Sequence, residues 1–385
     1  MQSHFGSLDG LRVVDLSRVL AGPLCTQILG DHGAEVIKVE PPAGDDTRRW
    51  GPPFVGEGSS AYYESLNRNK RNVCLDLKGE PGQAALRRLL ENADVLVENF
   101  RQGTLASWGL SDETIRSRWP RLVHCRITGF GADGPRGGSP GYDAVAQALG
   151  GLMSINGEAA GPPLKVGVPI VDMVTGFYAV SGIMFALHER ERSGSGQLID
   201  LALFDTAVSL LHPHSSSWLA DGTEARRTGS AHPTIQPYDT FEARDGQIFI
   251  AVGNDDQFER LCHFLNLPSL LQDTRFTSNG DRVRNQLALK EALSPALAVL
   301  EREHLDDSFR ALGIPAGNVQ TVSEALQDAQ SVARSMVLQI GGRRAVGIPI
   351  KLSRTPGAVV TPPHAKGQDT EEVLGELARD SDPTH

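Results

Sequence analysis

The first strand-like run of this 385-residue chain, 11–17, is not followed by GxGxxG. RVLAGP stands there instead, at 18–23, and a nicotinamide or flavin dehydrogenase reading loses its fingerprint. GxxxxGK[ST] and HExxH are also missing, so P-loop phosphotransfer and zinc proteolysis lack their signatures. Cysteine is scarce. Cys25, Cys74, Cys125 and Cys262 show no CxxC or zinc-like spacing, which predicts free structural thiols, a reducing compartment and no metal site. Positive charge is in deficit, with 37 Lys and Arg against 47 Asp and Glu. A net charge of −10 argues against nucleic acid as a partner. Long hydrophobic runs are absent as well. The longest, 173–187, is broken by Gly176, Ser181 and Gly182 and falls short of the ~20 residues of a membrane span. It predicts a buried helix. The first residues lack a basic segment leading into an apolar one, so no signal peptide is expected. These features predict a soluble, cytoplasmic protein.

What is present is an alternation. Strand-like runs at 11–17, 34–40, 71–77, 94–100, 121–130 and 196–205 are separated by helical stretches at 22–33, 82–93 and 142–153 and by the apolar run after Asp172. Strand, helix, strand at this spacing predicts right-handed βαβ units and a parallel sheet. Beyond residue 211 the rhythm changes. A polar stretch, 212–233, reads as a connection. Residues 238–254 read as a hairpin with Asp245–Gly246 at the turn. Helices follow to about 312, then one at 323–336, and an amphipathic helix near the end. The expected fold class is α/β. A large Rossmann-like domain with a parallel sheet takes in 1–211, 212–233 is a linker, 234–322 is a smaller α+β domain, and 323–385 returns to complete the large domain.

In such a sheet, ligands bind at loops on the carboxyl ends of the strands. Four of these loops, 17–23, 75–79, 97–103 and 129–143, present Arg18, Lys78, Arg101 and Arg136 beside glycine-rich backbone. That combination suits an anionic ligand on an otherwise acidic protein. Asp172 stands where Val168, Pro169, Ile170 and Val171 lead into the apolar run. Three roles are open to it: helix N-cap, general base, or nucleophile. Near the positive end of a helix dipole it is expected to stay ionised and fixed in direction.

Six stretches in order carry a resemblance: LDGLRVVDLSRVLAGP, LGDHGAEVIKVEPPAGDDTRRWGPPF, NRNKRNVCLDLK, ADVLVENFRQGTLASWGL, ITGFGADGPRGGSPGYDAVAQALGGLMSINGE and VPIVDMVTGFYAVSGIMFALHERERSGSGQLIDLALFD. The chain resembles the family III CoA-transferases, such as formyl-CoA transferase and carnitine CoA-transferase. RVLAGP, GDDTRRWGPPFVG, GSAHPTIQPYDTF and VGNDDQF are most similar to the branch that exchanges CoA between dicarboxylic acids. The resemblance implies that Asp172 is the catalytic nucleophile, passing through an aspartyl anhydride and an aspartyl-CoA thioester. It implies CoA contacts at Leu20, Ala21, Leu75, Lys78, Asn99, Phe100, Arg101, Tyr142 and Asp143. Coenzyme A is then a substrate, with no tightly bound cofactor and no metal. Arg18 is the candidate for a substrate's distal carboxylate. The chain departs from formyl-CoA transferase at Pro41, Ser107 and Pro140, where basic residues are expected, and Arg48, Arg68 and Arg101 stand as replacements. The resemblance also implies an interlocked homodimer, small carboxylic acids as partners, and no membrane. A rival with the same fold is α-methylacyl-CoA racemase. It needs a second acid/base group where this chain has Tyr142, and a phenol is a poor base at neutral pH.

Overall fold

The computed structural model describes residues 6–55 and 58–380. The chain forms two compact units. One takes in the residues up to Leu152, Lys165–Pro213 and the chain from Ala329 on; the other comprises Met153–Leu164 and His214–Asp328.

Six short strands build the sheet of the first unit: β1 (Arg12–Asp15), β2 (Glu35–Glu40), β3 (Lys70–Cys74), β4 (Val95–Glu98), β5 (Val123–Thr128) and β6 (Leu198–Ala202). Every pairing is parallel. The order is β3-β2-β1-β4-β5-β6, the doubly wound arrangement. Alternation along the strands divides the core. Val14, Ile37, Val73 and Leu96 face one layer, with helices Glu80–Glu91 and Thr370–Asp380 against them. Val13, Val36, Val95, Val97 and Cys125 face the other, covered by helices Ala21–Asp31 and Ile170–Ser193. A sheet covered on both faces buries nearly every strand position, so RVVD and VLVE are buried almost throughout, their terminal Asp15 and Glu98 included.

Helix Ile170–Ser193 is longer than the apolar run suggests: 24 residues, long and apolar enough to cross a membrane by those measures. One stripe, Val171, Thr175, Ala179, Ile183, Ala186 and Leu187, is buried on the sheet. Gly194, at φ 76°, ends it, its N–H donating to Arg190 O at 2.8 Å. Arg190 then pins this end to the sheet through Asp94 Oδ1 at 2.9 Å. Two predicted helices are broken in the structure. The 142–153 segment splits into Asp143–Leu149 and Leu152–Ile155 because Gly151 turns left-handed, at φ 89°. The 323–336 segment splits at Asp328, whose extended ψ of 141° ends Val322–Gln327 before Ala329–Ala333 begins.

The second unit has an antiparallel sheet, β7 (Tyr238–Ala243), β8 (Gly246–Ala251) and β9 (Ala316–Asn318), in that order. Ala243 pairs with Gly246, so the hairpin loop is Arg244–Asp245, one residue earlier than expected. Phe241, Ile248 and Ile250 pack with Phe258, Leu261, Leu289, Leu293, Leu305 and Phe309 from the helices. The stretch 212–233, expected as a connection, carries helix His214–Asp221 in this unit. Gly222, at φ 76°, closes it by donating to Trp218 O.

Candidate functional site

The strand order reverses between β1 and β4. Loops leaving neighbouring strands in opposite directions open a crevice at such a switch point. A cavity of about 250 Å³ lies there. Its walls come from the loops after β1 (Arg18–Ala21), β4 (Asn99–Gln102), β5 (Thr128, Gly129, 138–142) and β6 (Leu203), with Asp172 and Asp46.

Buried charge holds the β1 loop from below. Lys38 Nζ donates to Ser17 O at 2.9 Å and to Asp45 Oδ2 at 3.1 Å. Lys70 Nζ donates to Pro23 O at 2.8 Å and to Asp15 Oδ2 at 3.1 Å. Asp15 also accepts from Ser17 N–H and the Thr26 hydroxyl. Burial pushes the Lys70 ammonium down to about 8, against the pull of Asp15. Removing one partner of such a group strands the other charge in the core, a loss of about 3–5 kcal/mol.

Asp172 is the third residue of its helix, not the cap. The N-cap is Pro169, which has no capping side chain. The cap comes from elsewhere: Asp143 Oδ1 accepts from the N–H groups of Val171 (2.8 Å) and Asp172 (3.1 Å), and its Oδ2 accepts from Gln147 at 2.7 Å. The helix start is thereby satisfied without Asp172, whose carboxylate is left to face the cavity. Asp172 is 8% exposed. Burial, then the Asp143 charge, push its acid up to about 7. The expectation of a fully ionised Asp172 is therefore corrected. The dipole at the helix start is opposed by desolvation and a second carboxylate. Tyr62 lies in the same field, its phenol pushed up to about 12 by burial and then by Asp172. Gly176, one turn on, brings the two helices together: a Cβ there would sit 2.8 Å from Ala21 O. The glycine that seemed to interrupt the apolar run is what lets Asp172 approach the β1 loop.

Of the residues singled out in the sequence, Arg18, Leu20, Ala21, Asn99, Phe100, Arg101, Tyr142 and Asp172 line this one cavity. Leu75, Lys78 and Asp143 do not. Leu75 is in the core below β3, Lys78 is exposed on the loop after β3, and Asp143 sits behind Asp172 as its helix cap. Arg136 lies over the Phe130 ring beside a different depression. Arg48 and Arg68, the expected replacements for phosphate ligands, are committed inside the protein. Arg48 is held by Glu40 and Tyr63, and Arg68 by Asp31 and Val346 O. Arg101 is exposed at the cavity. The loop after β5 carries the letters of two motifs that sequence reasoning passed over, GxGxxG at 129–134 and GxSxG at 137–141. Neither has its context. Turns follow the first instead of a helix, and no histidine lines the cavity to serve the second. Gly129 and Gly141 instead let the loop close on itself, since a Cβ on either would lie 2.7 Å from the other's Cα. Val19 and Asp46 were also missed; no local pattern marks either one.

A doubly wound sheet whose switch-point cavity presents one unbonded carboxylate belongs to an α/β enzyme that works on a ligand laid across the strand ends. Residues 8–370 match the model of CoA-transferase family III, and the chain belongs to that family. It is 42% identical to the succinate–glutarate CoA-transferase of Agrobacterium fabrum, over 96% of this chain and 95% of that protein. It is 40% identical to the succinyl-CoA:mesaconate CoA-transferase of Haloarcula hispanica, over 91% of each. The crystal structure of a CAIB/BAIF family protein from Brucella suis superposes with a TM-score of 0.88 at 41% identity, covering 97% of this chain and 99% of that one.

Proposed function

We propose that the enzyme moves CoA from an acyl-CoA to a dicarboxylic acid by way of covalent intermediates on Asp172. The observation that carries this is the Asp172 carboxylate itself. It is buried, capped from behind by Asp143, and aimed into the switch-point cavity with no hydrogen bond of its own among the described residues. Its oxygen attacks the thioester carbonyl, the C–S bond breaks, and CoA thiolate leaves behind an acyl–aspartyl anhydride. The thiolate then attacks the aspartyl carbonyl, releasing the donor's carboxylate and leaving an aspartyl-CoA thioester. The acceptor carboxylate runs both steps in reverse. Leu20 and Ala21 begin helix Ala21–Asp31 at the cavity, and its unpaired first-turn N–H groups favour negative charge developing there. The cavity is the size of an acyl group, so the rest of CoA runs outward along the strand ends, where Arg101 and Lys78 are exposed.

Arg18 is our candidate for the distal carboxylate. It lines the cavity half-exposed, 3.8 Å from Asp46 and over the Phe100 ring, so a substrate carboxylate has only a loose ion pair to displace. The Agrobacterium and Haloarcula relatives carry dicarboxylates in their names. Arg18→Ala is expected to raise KM for succinate or glutarate about 10- to 50-fold and that for a monocarboxylate of similar length less than about threefold. Equal effects on both would take Arg18 out of substrate selection.

We further propose a homodimer in the cytoplasm. The outward stripe of helix Ile170–Ser193 exposes Phe177, Tyr178, Met184 and Phe185, the last 73% accessible, a contiguous apolar face of the kind subunit contacts cover. The four cysteines are free, in keeping with a reducing compartment.

A further inference from the structure

We propose that Asn99 is a positioning residue of the transfer reaction: its side-chain amide clamps the backbone of Arg18 and so holds Val19 in a left-handed turn at the cavity wall. This rests on the reading of the cavity as the transfer site. Val19 has φ 71°. A β-branched side chain in that region meets its own backbone, and such residues persist only where their surroundings over-determine them. They gather at sites where backbone must be held for a purpose.

The geometry shows what supplies the restraint. The β1–β4 ladder runs to Asp15 opposite Val97, with a last bond from Leu16 N–H to Val97 O at 2.8 Å. Past that point the two backbones diverge into the crevice. Asn99 continues the pairing with its side chain. Its Oδ1 accepts from Arg18 N–H at 2.9 Å and its Nδ2 donates to Arg18 O at 2.7 Å. The amide does for Arg18 what a neighbouring strand's peptide would do. Its own strand end is steadied by Glu98, which accepts from Phe100 N–H at 2.7 Å. On the far side, Lys38 and Lys70 grip Ser17 O and Pro23 O. Among these anchors, Asn99 alone acts on the residue next to Val19. Released, Val19 would relax to an extended conformation and swing Leu20 and Ala21, the helix start that faces the Asp172 site, away from it. The resemblance assigned Asn99 to CoA binding; here both functions of its amide are turned to the protein's own backbone.

A double-mutant cycle separates positioning from ligand contact. Wild type, Asn99→Ala, Val19→Gly and the double variant are compared for kcat and for acyl-CoA KM. Glycine adopts the left-handed turn without strain, so it reduces the need for the clamp. Asn99→Ala is expected to lower kcat about 30-fold with acyl-CoA KM changed less than about threefold. In the Val19→Gly background the same change is expected to cost less than about fivefold. A raised KM with kcat intact, or an equal loss in both backgrounds, would overturn the proposal. If Asn99→Ala does not fold, Asn99→Leu is put through the same cycle, since it keeps the side chain's volume, adds no charge at the cavity and loses both hydrogen bonds to Arg18. These outcomes are read in enzyme that still depends on Asp172. Transfer surviving Asp172→Ala would instead sink the underlying reading, whatever the cycle gives.

Discussion

Asp172→Ala is expected to reduce CoA transfer by about 10⁴-fold or more while CoA binds within a few-fold of wild type. The size of the effect reflects the lack of a substitute. Asp143, the nearest carboxylate, spends its oxygens on Val171 N–H, Asp172 N–H and Gln147. Asp46 reaches the cavity but is engaged by Arg49 at 2.9 Å and lies near Arg18. The methyl group leaves the cavity walls in place, and Phe100, Arg101 and the β1 loop are untouched. Binding and turnover therefore separate. Turnover assays with succinyl-CoA, paired with calorimetric titration of CoA, measure both. Transfer within tenfold of wild type would rule out a covalent role for Asp172.

Asp172 also ties stability and rate to pH. Its folded acid stands at about 7, well above the 3.8 usual for an aspartate, so ionising it opposes folding. Proton counts give the sign. Below about pH 4 both the folded and the unfolded chain hold this proton, and no difference arises. Between 4 and 7 the unfolded chain gives it up and the folded one keeps it, so stability falls as pH rises; above 7 the loss is constant. Asp172→Asn removes this burden. The variant is expected to match wild type near pH 4 and to be more stable by roughly 2–4 kcal/mol at pH 8, read as denaturation midpoints across that range. The nucleophile is the anion, so kcat/KM for acyl-CoA should climb through about pH 7 and then level off. Asp143→Asn removes the like charge and should move that inflection to lower pH. A stability gain for Asp172→Asn that is the same at pH 4 and pH 8 would contradict the link.

How far the sequence reached is clearest residue by residue. RVVD, EVIKVE and VLVE announced buried strands by their valines, leucine and isoleucine, because a sheet covered on both faces leaves almost no position exposed; that Asp15, Lys38, Glu40 and Glu98 are buried with them was not legible. The switch-point loops could be named in advance, since a parallel sheet presents its ligand at the strand ends. Asp172 was conspicuous because a carboxylate ahead of an apolar run is costly unless it has work to do. What was illegible depends on contacts between distant residues. That Asp143 caps the helix, freeing Asp172, is a meeting across 29 positions. Arg48 and Arg68 stood as replacements for phosphate contacts; Glu40 and Asp31 bury them. Val19 carries no local sign of a left-handed turn, because the reason for it is Asn99, 81 positions from the Arg18 backbone it holds.

The measurement that bears most directly on the central claim is chemical trapping. The enzyme is mixed with succinyl-CoA without acceptor, quenched with hydroxylamine, digested, and its peptides weighed. An anhydride or thioester on Asp172 is expected to yield a hydroxamate at that residue alone, absent when the thioester is omitted. A hydroxamate at another carboxylate, or an unlabelled Asp172 in enzyme that is transferring CoA, would contradict the account.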